Sequence, residues 1–340
     1  MPTKHMGNLL VSLHGIVALV KANQGESLVV IDEAYRCILE SIPEILDVLY
    51  YPLGQLLNLN ALGKLNLLRE FYGEIRTYRA KLLLNFDAQK LSTVMAILSG
   101  VNIRFGLPNS PYGRFYTKII DSDEDRLHQF YQYDRYAQHF LEIHGAAKYP
   151  RLQPVDKHRA SVNKILRSHG FCSRRPYICI HPGATKDYKK WPVENFSRTA
   201  DWLANQGYQV LFIGAGTSDR SVIEEVVRQC TQKPISLCDE LNLGELIALF
   251  SEARFFLGND SGPMHLASAA GAQVFSIFGP TDEHRWGSLG DKSRVVRNVV
   301  RCEEACSKKF CTQSFRCIKS LSVEDVKSVL AEYIESSSEG

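Results

Sequence analysis

Along the second half of the chain, short apolar runs rich in β-branched and aromatic residues alternate with segments whose apolar positions recur every three to four residues. Parallel strands covered by crossover helices produce that rhythm, because such strands are buried on both faces. Residues 177–181 read as a strand, followed by a loop and a helix over 192–205 that opens on a proline suited to a first turn and stops at Gly207. Residues 208–213 read as the next strand, and Thr217-Ser-Asp can cap a helix running to Gln229. Strands at 234–237, 255–257 and 273–278 alternate with helices at 243–253 and 262–270. This is the pattern of a nucleotide-binding α/β domain.

The first half is patchier. Residues 27–31, 46–50 and 81–85 read as strands and 9–21 as a helix, which predicts a second α/β domain. Residues 121–136, polar and charged, read as an exposed loop running into a helix, and 148–154 as a linker. The expected division is 1–155, 156–320, and a C-terminal helix with a fraying Ser-Ser-Ser-Glu-Gly tail over 321–340.

A chain of 340 residues accommodates two such domains, and 45% hydrophobic with 23% charged residues excludes a disordered or fibrous protein. No apolar run reaches the ~18 residues that span a bilayer, and the first residues carry no secretory apolar core, so a cytoplasmic protein is expected. The net charge of +3, from 40 basic and 37 acidic residues, is too balanced for a dedicated nucleic-acid binder. Nine cysteines are too few for a disulfide scaffold, and their odd number favours thiols.

Gly258-Asn-Asp-Ser-Gly-Pro-Met-His follows an apolar strand and opens a helix. Asp260 and Ser261 can cap it, Gly262 lets a ligand approach the backbone, and Pro263 fits the first turn, so free N–H groups at the positive dipole end suit a diphosphate. His265 lies one turn in, where it could donate to a phosphate oxygen. The plainer alternative is a capped helix around a buried histidine. His181-Pro-Gly-Ala-Thr-Lys-Asp-Tyr-Lys-Lys-Trp-Pro carries three lysines in a loop between strand and helix, either a phosphate grip or a solvated basic loop. Gly214-Ala-Gly-Thr-Ser-Asp is a third glycine turn after a strand. Three such loops on one sheet edge mark where open α/β sheets bind ligands.

His181-Pro-Gly-Ala, Lys190-Trp191-Pro192, Gly214, Asn259-Asp260-Ser261-Gly262-Pro263 with His265, and Phe278-Gly-Pro-Thr281 resemble, in order and spacing, the signature series of the bacterial heptosyltransferases of glycosyltransferase family nine. The match runs over about 176–287 and continues more loosely to the C-terminus. The resemblance implies the GT-B architecture, two Rossmann-like domains facing across a cleft, with the N-terminal domain taking the acceptor and the C-terminal domain the donor, ADP-L-glycero-D-manno-heptose. It implies that Lys190 holds the donor phosphates with Thr185 beside them, and that Asp260, Ser261, Gly262 and His265 line the diphosphate and heptose. Asp219 falls at about the place of a donor-contacting acid.

The N-terminal half departs from that pattern. His5-Met-Gly-Asn8-Leu-Leu-Val-Ser-Leu-His14 resembles the family's first turn, so the preceding strand is expected to be missing or rebuilt. Asn8 stands where the family carries the acid proposed as catalytic base, and Asn cannot take the proton. Asp87, after an apolar strand, and His14, on a helix, are the substitutes; a strand-end carboxylate is favoured over a histidine among apolar neighbours. Asp87 can also be read as a helix cap.

Cys302, Cys306, Cys311 and Cys317 could wrap a tetrahedral structural ion, iron or zinc, or be reduced thiols packed in an irregular loop. Cysteine-bound iron is associated with the family branch resembling autotransporter heptosyltransferases. The expectation is an inverting heptosyltransferase without a catalytic metal, using the lipopolysaccharide inner core as acceptor or, alternatively, hydroxyls of a surface protein. Peripheral contact with the inner face of the inner membrane and a homo-oligomer are compatible with it. A donor-binding homologue impaired in catalysis is the rival class.

Overall fold

A computed structural model of the chain describes residues 6–24, 26–107, 110–120, 128–141, 151–290, 292–298, 300 and 311–336. The chain divides into two compact units, Met1–Pro150 and Arg151–Gly340.

The first unit comprises α1 (Met6–Ala22), β1 (Val29–Asp32), α2 (Arg36–Glu40), β2 (Val48–Tyr51), α3 (Leu53–Asn58), α4 (Ala61–Thr77), β3 (Leu82–Leu84), α5 (Lys90–Leu98), β4 (Ile103–Gly106), β5 (Lys118–Ile119) and α6 (Gln129–Gln138). Its strands pair in parallel as two small sheets, β1–β2 and β3–β4–β5. Gly7 and Asn8, expected in a turn, lie in the first turn of α1, because the burial of Leu9, Leu10 and Leu13 draws the helical period back through them. Of the segment expected as an exposed loop running into a helix, 121–127 lie outside the described residues, and the helix buries one face: Phe130, Tyr133, Tyr136 and Ala137 line the covered side of α6, while Tyr131 is 45% exposed. Their three-to-four-residue spacing was masked by the charged residues between them. α1 and α6 pack closely at Gly15, where a Cβ would come within 2.9 Å of the Ala137 Cβ.

The second unit comprises α7 (Asp156–Ser168), β6 (Tyr177–His181), α8 (Val193–Asn205), β7 (Gln209–Phe212), α9 (Gly216–Gln229), β8 (Ile235–Ser236), α10 (Leu243–Glu252), β9 (Phe256–Asn259), α11 (Gly262–Ala269), β10 (Val274–Phe278), α12 (Glu283–Trp286), β11 (Ser293–Arg297), α13 (Arg316–Lys319) and α14 (Val323–Ser336). Its six strands form one parallel sheet in the order β11-β10-β9-β6-β7-β8. The chain builds outward from β6 through β7 to β8, then returns to lay β9 on the other side of β6, the doubly wound order with its switch point between β6 and β9. On one face, Ile178, Ile180, Phe212, Phe255, Leu257 and Phe275 meet Phe196 and Leu203 of α8 and Val326 and Leu330 of α14. The C-terminal helix is therefore part of this core. The residues expected as a linker are docked here too from Arg151 onward, with Leu152 buried and its N–H donated to the Ala269 carbonyl at 2.8 Å. Gly207, at φ +93°, ends α8 in the left-handed region where a glycine costs least.

Candidate functional site

The switch point places the ends of β6 and β9 side by side, with His181 in register with Gly258. An added Cβ on Gly258 would stand 2.8 Å from the His181 carbonyl, so glycine is what permits this approach. Asn259 then fastens the two loops. Buried completely, it accepts the Trp191 N–H at 3.1 Å and donates to the Pro182 carbonyl at 2.7 Å. Trp191, also buried, donates its indole N–H to the Leu321 carbonyl at 2.9 Å. The lysine loop is thus anchored at both ends while its middle, Thr185 to Asp187, is exposed.

Neither Asp260 nor Ser261 caps α11. Asp260, buried, pairs with Lys189 at 2.7 Å. The Ser261 hydroxyl lies 3.1 Å from the His181 Nδ1 and 3.1 Å from the Asn259 carbonyl. The helix begins on Gly262 and Pro263 without a side-chain cap, leaving its first amides to whatever occupies the mouth of the site. His265 is buried one turn in.

His181 joins a third element. Its Nε2 lies 3.1 Å from the Asp219 carboxylate on α9, which also accepts the Ala215 N–H at 3.1 Å. Burial works against ionisation of Asp219, but the His181 hydrogen bond and charge and the Ala215 amide hold its carboxyl below the usual range. Glycines make room for it: a Cβ on Gly183 would fall 2.1 Å from the Asp219 Oδ1, and one on Gly214 2.8 Å from its Cβ. Thr217-Ser-Asp does not cap α9 from outside; those residues lie within its first turn.

Lys190 and Lys189 differ in kind. Lys190 is held at 2.9 Å by Asp187, a carboxylate with 87% of its side chain exposed, and a partner so solvated is easily exchanged. Lys189 is tied to buried Asp260. His181, Lys189 and Asn259 were visible in the sequence motifs, yet nothing in their spacing assigned them to Asp219, Asp260 and Trp191. Tertiary proximity made those pairs.

The first unit contributes a different group. Asp87 sits between β3 and α5, 4% exposed, in a turn closed by its own N–H to the Asn85 Oδ1 at 3.0 Å and by the Ser92 hydroxyl to its carbonyl at 3.0 Å. It does not occupy the N-cap of α5, which is Gln89. Burial pushes its carboxyl up to about 6, against hydrogen bonds from the Gln89 and Ala88 amides and Ser92, and its Oδ2 has no hydrogen-bond partner among the described residues. His14 is tied to Asp134 of α6 at 2.9 Å and stacks obliquely on Phe130. Asn8 is half-buried at the start of α1.

Of the four clustered cysteines, Cys302 and Cys306 lie outside the described residues. Cys311 and Cys317 are half-buried thiols. The chain turns after Cys311 through Ser314 and Phe315, both at positive φ, and the Phe315 N–H points to the Cys311 sulfur at 3.4 Å.

The profile of glycosyltransferase family 9 (heptosyltransferase) matches residues 71–315. Lipopolysaccharide heptosyltransferase 3 of Escherichia coli (strain K12) is 39% identical over 112 residues, which are 32% of this chain and 33% of that protein. The chain thus spans about a third of the length of that curated relative. Among solved structures, a family 9 glycosyl transferase from Veillonella parvula superposes with a TM-score of 0.83 at 21% identity, covering 98% of this chain and 96% of that one. The ADP-heptose lipopolysaccharide heptosyltransferase II of E. coli gives 0.76 at 18% identity, with 98% of each chain covered. At these identities the likeness is one of fold, that of the GT-B heptosyltransferases.

Proposed function

Because the chain belongs to glycosyltransferase family 9, the heptosyltransferases, we propose that it moves a heptose from ADP-L-glycero-D-manno-heptose to an acceptor hydroxyl with inversion. The observation that carries this reading is the uncapped start of α11 at the switch point of the second unit's sheet, beside a loop offering Lys190. Amides fixed at a helix N-terminus and a lysine with an exchangeable partner stabilise the charge that develops on ADP as the bond to the anomeric carbon breaks. Thr185, Asp260, Ser261, Gly262, His265 and Asp219 complete the donor's surroundings.

Asp87 is the base in this proposal. It takes the proton of the acceptor hydroxyl as the oxygen attacks the anomeric carbon and ADP departs. A carboxyl raised to about 6 by burial is ionised at neutral pH and still basic enough to accept a proton, the compromise general-base catalysis favours. His14, engaged with Asp134, and Asn8, which cannot accept the proton, support the same choice.

The lipopolysaccharide inner core is the acceptor we favour, in line with the similarity to lipopolysaccharide heptosyltransferase 3. Peripheral contact with an anionic membrane belongs to this reading. Leu57, Leu62 and Leu65 are 75%, 73% and 63% exposed, in a stretch from 48 to 69 that contains Lys64 and Arg69 and no acid. At the cysteine cluster, Cys302, Cys306, Cys311 and Cys317 would hold a structural iron or zinc. The Phe315 amide donates to the Cys311 sulfur, a contact that supports sulfur ligation there.

The test is incubation with ADP-heptose and heptose-deficient core glycolipid, read by mass spectrometry. One added heptose per acceptor with stoichiometric ADP release is expected. No transfer to glycolipid but transfer to a surface protein would replace the acceptor, and ADP release to neither would overturn the activity.

A further inference from the structure

The chain of contacts from Asp219 through His181 to Ser261 is more than the donor reading needs. We propose, resting on that reading, that His181 is a positioning residue for the donor diphosphate, turning the Ser261 hydroxyl toward the ligand when the imidazole gains a proton.

Counting hydrogens leads there. Asp219 is an ionised acceptor, already receiving the Ala215 N–H, so the His181 Nε2 at 3.1 Å must carry a hydrogen. That leaves Nδ1 as the variable atom. If the imidazole is neutral, Nδ1 is an acceptor and the single Ser261 hydrogen is spent on it across 3.1 Å. The hydroxyl then shows only lone pairs to an anion at the start of α11. If the imidazole is charged, Nδ1–H donates to the Ser261 oxygen, and the serine hydrogen is released to the Asn259 carbonyl at 3.1 Å or to a phosphate oxygen. One proton from solvent therefore frees the Ser261 hydrogen from Nδ1, so that a phosphate oxygen can compete with the Asn259 carbonyl for it, and adds a positive charge behind it. Apart from the Nδ1–H bond that this proton forms, only hydrogen bonds are exchanged.

The surroundings allow the switch to operate. The His181 side chain is only 4% exposed, so protein groups rather than solvent surround it. The titratable and charged groups around it are Asp219 from α9, the Lys189–Asp260 pair beside Ser261, and, beyond Asp219, Asp239 with its partner Arg220 and Cys238 at the end of β8. His265 follows on α11. The glycines at 183 and 214 leave the space through which Asp219 reaches the ring. A bound diphosphate brings negative charge to this group and so favours the imidazolium.

Calorimetric titration with ADP tests this, at about pH 6 and about pH 8 and in buffers of low and high ionisation enthalpy. ADP's own terminal phosphate titrates in this range and contributes equally to every protein, so the comparison between variants isolates His181. The wild-type protein is expected to bind ADP about tenfold more weakly at the higher pH and to take up more protons on binding than His181→Gln. His181→Gln should keep only the ligand's pH dependence, with its fold checked by melting. Ser261→Ala, which leaves the imidazole in place, should retain proton uptake but lose most of the low-pH gain. Equal pH profiles in wild type and His181→Gln, or a full low-pH gain in Ser261→Ala, would overturn the role of His181. Failure of the wild type to bind ADP at either pH would instead overturn the donor site, and the inference with it.

Discussion

The acids assigned to the proposed reaction sit in different settings in the two units, although the first unit also holds an ion-paired acid, Asp134 with His14. In the second, Asp219 beside the β6–β9 switch point pairs with His181, and buried Asp260 pairs with Lys189. In the first, Asp87 is buried with its carboxyl pushed up to about 6 and one oxygen unmatched among the described residues. The scaffolds differ likewise. The second unit has one six-stranded sheet, whereas the first has separate sheets of two and three strands. Among the described residues, all the strongly exposed large apolar side chains, from Leu46 to Tyr131, belong to the first unit. A continuous sheet with neutralised acids makes a rigid, pre-organised anion site. A unit of smaller sheets with one desolvated carboxyl can present a reactive group and an apolar surface.

The sharpest way to break this contrast is Asp87→Asn. Turnover should fall ~10²–10⁴-fold while ADP affinity stays unchanged, and wild-type turnover should rise with pH through about 6 as the carboxyl ionises. The stability effect has the opposite sign. A carboxyl raised in the folded state, from 3.8 to about 6, favours folding while protonated, and that contribution is lost as pH climbs through about 6. Asp87→Asn should therefore be more stable than wild type near neutral pH, by about 3 kcal/mol at most. An active Asp87→Asn would remove the base.

Next in size is the lysine pair. Lys189→Ala leaves Asp260 buried without its cation and should cost about 3 kcal/mol of stability in chemical denaturation. Lys190→Ala should leave stability within about 0.5 kcal/mol and weaken ADP about tenfold or more, as charge-assisted phosphate contacts are lost. A reversal of the two outcomes would reassign the phosphate grip to Lys189.

Smaller, and confined to the end of the second unit, is the effect of Cys311→Ser or Cys317→Ser. Either should lose a bound metal by elemental analysis and lower the melting temperature by several degrees, because metal binding adds to folding free energy. Metal-free wild-type protein with unchanged melting in both variants would leave packed thiols.

The smallest change in stability is expected from Leu62→Glu combined with Leu65→Glu, within about 0.5 kcal/mol, because both side chains already face solvent. Co-sedimentation with anionic vesicles, present in wild type, should be abolished. Equal sedimentation would detach these leucines from any membrane role.

Much of the second unit could be read in the sequence because its strands are buried on both faces and announce themselves as apolar runs: β6 ends at His181 and β10 at Phe278, as their patterns required. Glycine and proline punctuation placed α8 and α11 for the same local reason. The first unit hid its architecture. Its strands are short and partly exposed, and α6 buries an aromatic stripe among charges that read as a solvated surface. Motif spacing brought Asp260, Ser261, Gly262 and His265 to one helix start, because residues adjacent in sequence share a turn whatever surrounds them. Pairings across the sheet were decided only by tertiary structure. His181 meets Asp219 across 38 positions and Ser261 across 80, while Lys189 rather than Lys190 meets Asp260. No local period encodes such contacts; strand order, register and the space left by glycines do.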